Sequence, residues 1–286
     1  MIELAAGAYA AQVNRHGGGL AALTHDGTDL VTPQAGESGP PQFRGAVLAP
    51  WSNRVADGRY SFDGNEHVLP VTEPERRNAL HGLVLDRDWE CSERADDAVT
   101  LRLELAQPAG YPFELALTLT YALTDSGLTV RLDANNTGAT RAPFGCGFHP
   151  YIRPGVTPID AAPLRLEATE RLLTDDVRLL PIGQESAVDT PYDFTSAHPI
   201  GPLHLDDAFS GIAASDDGRH RLRIGGVEVW WSPAMPWVQL FTPPDRDAIA
   251  VEPCTSPPDA FRSGNDLVVI APDETYRVDW GVRAVA

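Results

Sequence analysis

Residues 113–123 change character at every step. Phe113, Leu115, Leu117, Leu119, Tyr121 and Leu123 are large and apolar, whereas Glu114, Ala116, Thr118, Thr120 and Ala122 are small or polar. A period of two sends alternate side chains to opposite faces of an extended chain. One apolar face and one wet face is the pattern of an antiparallel sheet packed on one side only. The scheme recurs at 99–105, with Thr100, Arg102 and Glu104 outward, at 128–134, and at 275–285, where Tyr276, Val278, Trp280 and Val282 share a face. Turn dipeptides separate such runs: Asp26-Gly27, Asp63-Gly64 and Ser126-Gly127. No long stretch has helical periodicity, and 25 prolines and 25 glycines punctuate the chain. These features predict a large all-β sandwich of twisted antiparallel sheets, a single domain over residues 1–286. Two polar, turn-rich segments, 32–45 and 181–204, read as long loops over one end of it.

Charge narrows the partners. The formal net charge is −18, which repels nucleic-acid phosphates and anionic membranes, so neither is an expected partner. All 22 basic residues are Arg. Without lysine there is no Schiff-base chemistry, no pyridoxal-phosphate lysine and no P-loop lysine. Cys91, Cys146 and Cys254 are odd in number, and no C-x-x-C pair occurs. This argues against a zinc or redox motif and fits a reducing cytoplasm. The start, MIELAAGAYA, has an acid and no basic n-region, so no signal peptide is expected. The longest uncharged run, 229–244, carries four prolines and would not span a membrane as a helix.

Five side chains are candidates for chemistry. His149 stands in "FGCGFHPYIRP", a stiff apolar setting that suits either a packed core histidine or an aimed proton carrier. Glu252 ends the hydrophobic run "AIAVEP", where Pro253 is expected to terminate the strand. It is either an exposed strand-end acid or a buried carboxylate whose surroundings raise its pKa toward a useful base. His81 precedes Gly82, which lets a backbone or a ligand come close. Arg54 offers a fork suited to two oxygens of a polyol, and in "HLDDAF" either Asp206 or Asp207 could face a ligand. Trp51, Trp230, Trp231 and Trp237 could give a sugar an aromatic face, though core packing suits most of them. H-E-x-x-H, G-x-S-x-G and G-x-G-x-x-G are all missing.

In chain order the elements run Asn53-Arg54 with Gly58 and Asp63-Gly64, then His81-Gly82, then His149-Pro150-Tyr151. Leu205-Asp206-Asp207-Ala208-Phe209, Val251-Glu252-Pro253 and Pro258-Asp259-Ala260-Phe261 complete the series. This order resembles the aldose 1-epimerase (galactose mutarotase) family over roughly residues 53–261. The resemblance implies a galactose mutarotase-like β-sandwich acting on a small-molecule monosaccharide with neither metal nor cofactor. It makes Glu252 the base that takes the anomeric proton and His149 the acid that protonates the ring oxygen. Arg54, His81 and Asp206 would hold the sugar, Asp206 being the acid three residues before an aromatic. Two departures from many members, Arg153-Pro154 after Ile152 and Leu83 after His81-Gly82, bear on the substrate more than on the chemistry.

Opening a pyranose needs a proton at the ring oxygen while another leaves the C1 hydroxyl. A carboxylate and an imidazolium on opposite sides of the sugar would do both without building charge. Three other readings use the same residues. One is a non-catalytic sugar-binding sandwich. Another is a glycoside hydrolase using Glu252 and Asp206 as paired carboxylates. The third is a hexose-phosphate epimerase with Arg76-Arg77 or Arg153 as phosphate holders.

Overall fold

The computed structural model describes residues 1–34 and 41–285. Two large antiparallel sheets dominate. The nine-stranded sheet is built on the long strands Ala98–Ala106, Glu114–Thr124, Gly127–Asn136 and Thr275–Ala284, which pair side by side, with Val227–Trp231 and His220–Ile224 beyond them. The other sheet runs, in spatial order, through Pro181–Ser186, Glu170–Thr174, Asp206–Ser210, Trp237–Phe241, Ile249–Cys254, Gly147–Phe148 and Val47–Leu48, with Tyr151–Ile152 also pairing to Ile249–Cys254. A four-stranded sheet is formed by residues near the N-terminus.

The period of two becomes burial. Leu115, Leu117, Leu119, Tyr121 and Leu123 are at most 1% exposed. They join one apolar cluster with Phe209, Val238, Leu240, Ile249 and Val251 of the opposite sheet, so the two inner faces form a continuous core. Phe148 and Trp280 meet across the two sheets at a centroid distance of 5.2 Å. Each such side chain contributes on the order of 1.5–3 kcal/mol when fully buried. This is the large antiparallel β-sandwich that the alternation predicts.

Local details differ from the sequence reading. Asp26-Gly27 and Asp63-Gly64 both have positive φ at the two positions, as a two-residue hairpin turn requires. The third turn falls one residue early. Thr124 pairs with Gly127, which leaves Asp125-Ser126 as the loop. Segment 181–204 is not loop throughout. It supplies Pro181–Ser186 and His198–Pro199, each at the edge of a large sheet, where a strand pairs on one side only and keeps a polar composition. Of segment 32–45, residues 35–40 lie outside the described residues, and Pro41–Phe43 form a short 3₁₀ turn. The only α-helix among the described residues is Ala260–Ser263, and no helix is long and apolar enough to cross a membrane.

Candidate active site

The outer face of the second sheet carries the site. Strand alternation sends Ile249 and Val251 into the core and Ala250 and Glu252 to the outer side. In the neighbouring strands Glu252 lies across from Gln239, and Gln239 across from Ala208. One row further on, Asp206 pairs with Phe241, Phe241 with Ala250, and Ala250 with Tyr151. Two adjacent rows of one sheet thus bring residues 151, 206, 239, 241 and 252 together.

Pro253 does not end the strand. Ile249–Cys254 continues through it, with Pro253 opposite Val238 and Cys254 opposite Trp237. Val251 N–H bonds the Pro150 carbonyl and Thr255 N–H bonds the Cys146 carbonyl. Pro253, which has no N–H, falls between these bonds, where the partner chain breaks between Gly147–Phe148 and Tyr151–Ile152. His149 occupies that break. Its backbone bonds instead to Ala46 (N–H to carbonyl, 3.0 Å) and Gly45 (carbonyl from N–H, 2.8 Å). The stiff setting is therefore a strand interruption that turns the imidazole out of the sheet and onto Glu252.

His149 Nε2 lies 3.3 Å from Glu252 Oε1, with both residues buried. The two groups stand side by side, not on opposite sides of a ligand-sized gap. Burial pushes the His149 pKa down to about 3 and holds the Glu252 carboxyl well above its usual range, helped by the negative charge of Asp206 and opposed by Arg54. The distance alone would suit an ion pair. Yet burial disfavours both charged forms, which pushes the pair toward a neutral imidazole beside a carboxylic acid and away from the imidazolium expected above. Tyr151 lies parallel to the His149 ring at 5.2 Å and 7°, and His81 meets its edge at 5.6 Å. His149 Nδ1 is buried without a hydrogen-bond partner among the described residues.

The opposite wall comes from another pair of strands, Arg54–Ala56 and Asn78–Leu80. Asn53, at φ 54, donates its N–H to His81 Nδ1 at 3.2 Å. Since Nδ1 accepts, a neutral His81 carries its proton on Nε2. Burial favours its neutral form, and the Arg54 charge acts the same way, so His81 presents an N–H donor. Gly82 is needed for a crossing backbone: at φ +83, a Cβ there would lie 2.0 Å from the Ala49 carbonyl oxygen.

Arg54 is not a free fork. Its Nε and Nη2 hold Glu73 Oε2 and Oε1 at 3.0 and 3.1 Å, and Nη1 donates to Asn53 Oδ1 at 3.4 Å, which leaves one hydrogen on each of Nη1 and Nη2 outside these contacts. Glu73 also accepts from Asn78 and Arg76. Burial would raise its pKa, but these hydrogen bonds and the Arg54 and Arg76 charges hold it below the usual carboxylate value.

The structure separates the two neighbouring acids. Asp206 lines the pocket and accepts from Gln239 Nε2 at 2.8 Å, its pKa raised by burial. Asp207 pairs with Arg171 at 2.7 Å and does not line it.

Arg54, His81, His149, Asp206 and Glu252 all line one pocket, together with Gln42, Phe43, Asn53, Glu73, Leu80, Tyr151, Gln239 and Phe241. It encloses about 200 Å³, small beside the roughly 300–1,000 Å³ of drug-sized ligand sites. A larger cleft of about 870 Å³ lies on the N-terminal sheet, but its ionisable residues Glu3, Arg94 and Asp96 are all exposed. Sequence reasoning missed Glu73, Gln239, Phe43 and Phe241. Gln239 and Phe241 carried a signal, the period of two in "WVQLF". Glu73 carried none, sitting in a polar loop. The aromatic surface comes from Phe43, Tyr151 and Phe241, whereas none of Trp51, Trp230, Trp231 and Trp237 lines the pocket. Arg76 is engaged by Glu73, Arg77 lies near Asp57, and Arg153 pairs with Asp29 away from the pocket. Asp259 and Phe261 are framework: Asp259 accepts the Ala56 N–H, and Phe261 packs on Trp51 and Tyr60.

The pocket is small and holds a buried imidazole–carboxyl pair with Arg54, His81 and Asp206 beside it, and known proteins share its fold. The Escherichia coli protein YihR is 34% identical over 286 residues, spanning 98% of this chain and 92% of that protein. Human galactose mutarotase is 30% identical over 172 residues, 58% of this chain and 48% of its own length. The crystal structure of a putative aldose 1-epimerase from E. coli K12 superposes with a TM-score of 0.83 at 25% identity, covering 98% of this chain and 97% of that one. The aldose 1-epimerase family model matches residues 1–282, nearly end to end. This chain belongs to the aldose 1-epimerase family.

Proposed function

We propose that the protein interconverts the α and β anomers of an aldopyranose by acid–base ring opening and reclosure. The observation that carries this reading is the buried contact between His149 and Glu252, 3.3 Å apart in a pocket lined by Arg54, His81 and Asp206. The two oxygens that exchange protons in the reaction, O1 and the ring oxygen, are both bonded to C1. An acid and a base set side by side can reach both at once.

The pair shares one proton. With Glu252 ionised and His149 protonated, the carboxylate takes the O1 proton while the imidazolium gives its proton to the ring oxygen. The C1–ring-oxygen bond breaks and C1–O1 becomes a carbonyl. The pair is then neutral, the arrangement that burial favours. Rotation about C1–C2 presents the other carbonyl face, and the reverse transfers close the ring as the other anomer. Arg54 and His81 supply donors, and Asp206 an acceptor, to the remaining hydroxyls. They hold the sugar while its C1 end is free to turn.

Exchange NMR with α and β galactose and glucose tests the reading. Exchange between anomers faster than the spontaneous rate, with no other product, is expected. A glycoside hydrolase would release the leaving group of an aryl glycoside, and a sugar-binding sandwich would bind without exchange. Either result would replace the proposal. The neighbour of Glu252 at 3.3 Å is an imidazole and not a second carboxylate, which favours the epimerase.

A further inference from the structure

The loop between Glu170–Thr174 and Pro181–Ser186 is more than 120 positions from Arg54 in sequence, yet one chain of hydrogen bonds joins them. Asp175 organises the loop. Its carboxylate accepts the N–H groups of Val177, Arg178 and Leu180 at 3.0, 2.7 and 3.1 Å. Arg178 then crosses to residues 76–78. Its Nε donates to the Arg76 carbonyl at 2.9 Å, and its Nη2 to the Arg77 carbonyl at 3.0 Å and Asn78 Oδ1 at 3.2 Å. Asn78, wholly buried, donates through Nδ2 to the Arg178 carbonyl at 3.0 Å and to Glu73 Oε2 at 2.9 Å. Glu73 grips Arg54 by its Nε edge.

We propose that Arg178, acting through Asn78 and Glu73, is a positioning residue that fixes the direction in which Arg54 presents its outer N–H groups to the sugar. The proposal rests on the reading of the pocket as a sugar site. An arginine side chain has many rotamers, and its entropy opposes binding unless the side chain is held beforehand. Glu73 can hold Arg54 only if its own two oxygens are fixed, and one of them, Oε2, is fixed by Asn78. Asn78 has no spare group: both Nδ2 hydrogens and its Oδ1 are used by Glu73 and Arg178. Asp57, paired with Arg178 at 3.1 Å, stands outside this line, its side chain 41% exposed. It separates loop anchoring from Arg54 positioning.

The experiment compares Arg178→Ala, Arg178→Lys and Asp57→Asn with the parent. It reads KM and kcat for anomer exchange of galactose and glucose, thermal melting, and hydrogen exchange of the Arg54 Nε–H by ¹⁵N NMR. Arg178→Ala is expected to raise KM by about tenfold to hundredfold, the scale of a hydrogen bond to a charged group, with kcat little changed and faster Nε–H exchange. Arg178→Lys keeps charge and bulk but loses the planar fork, so it should move KM and Nε–H exchange the same way. It is also the deciding variant should the alanine form not fold. Asp57→Asn should move neither. A lower melting temperature with parental KM and parental Nε–H exchange in the Arg178 variants would reduce Arg178 to a loop staple and overturn the proposal. Should the parent not exchange anomers, the epimerase reading fails, and the Nε–H comparison still decides whether Arg178 governs Arg54.

Discussion

Replacing Glu252 by glutamine changes a proton site and almost no volume. Glutamine cannot accept a proton at neutral pH, but its amide can still donate to a neutral His149 Nε2 across the 3.3 Å contact. If Glu252 is the base, anomer exchange should fall by about 10²–10⁴-fold, the usual contribution of a positioned base, or about 2.7–5.4 kcal/mol of barrier. Sugar affinity should change far less, since Arg54, His81 and Asp206 keep their places. Stability should move the other way. The Glu252 pKa is raised by burial above its unfolded value. Its stabilising effect is thus complete below the unfolded carboxyl pKa and is lost as pH rises through the folded one. At neutral pH the parent bears that loss and the variant does not. Glu252→Gln should therefore melt higher, by about 2–4 °C per kcal/mol relieved for a chain of this size, and the difference should shrink toward pH 4. Exchange NMR, sugar titration and melting on two proteins complete the test. Parental exchange in a folded, sugar-binding variant would refute the role of Glu252. A lower melting temperature at neutral pH would refute the neutral-pair argument, because it would make the His149–Glu252 contact a stabilising ion pair.

Three further outcomes are expected. The pH profile of kcat/KM should be a broad bell, because the pair works only while it holds one proton. Its acid limb, where the pair gains a second proton, should lie well below the usual imidazole range, and its alkaline limb above the usual carboxylate range; a limb at the ordinary imidazole value would contradict the burial of the pair. Asp206→Asn should raise KM by about tenfold, whereas Asp207→Asn, which weakens the pair with Arg171, should lower the melting temperature and leave KM alone; the reverse pattern would exchange their roles. Gly82→Ala should cost at least about 2 kcal/mol, seen as a lower melting temperature, because both its positive φ and the Ala49 carbonyl exclude a Cβ; normal stability would mean that the loop can shift.

What could be read in the sequence was whatever local geometry dictates. Alternation in 113–123 sorts side chains between two faces whichever strands flank it, so the β-sandwich class was legible, as were the turns at Asp26-Gly27 and Asp63-Gly64. The order of Arg54, His81, His149, Asp206 and Glu252 along the chain was visible as well. Tertiary structure decided the rest. Which of Asp206 and Asp207 faces the pocket depends on register against Phe241 and Leu240. Pro253 could continue its strand only because the partner chain breaks at His149. The direction in which the His149 and Glu252 pKa values move follows from burial that the second sheet and the segments around residues 42–43, 53–54 and 73–81 create together. Glu73 and Arg178 sit in polar loops that look like ordinary solvated charge. Their purpose emerges only where chain segments far apart in sequence meet, because a hydrogen bond is specified by position in space and a sequence specifies only neighbours along the chain.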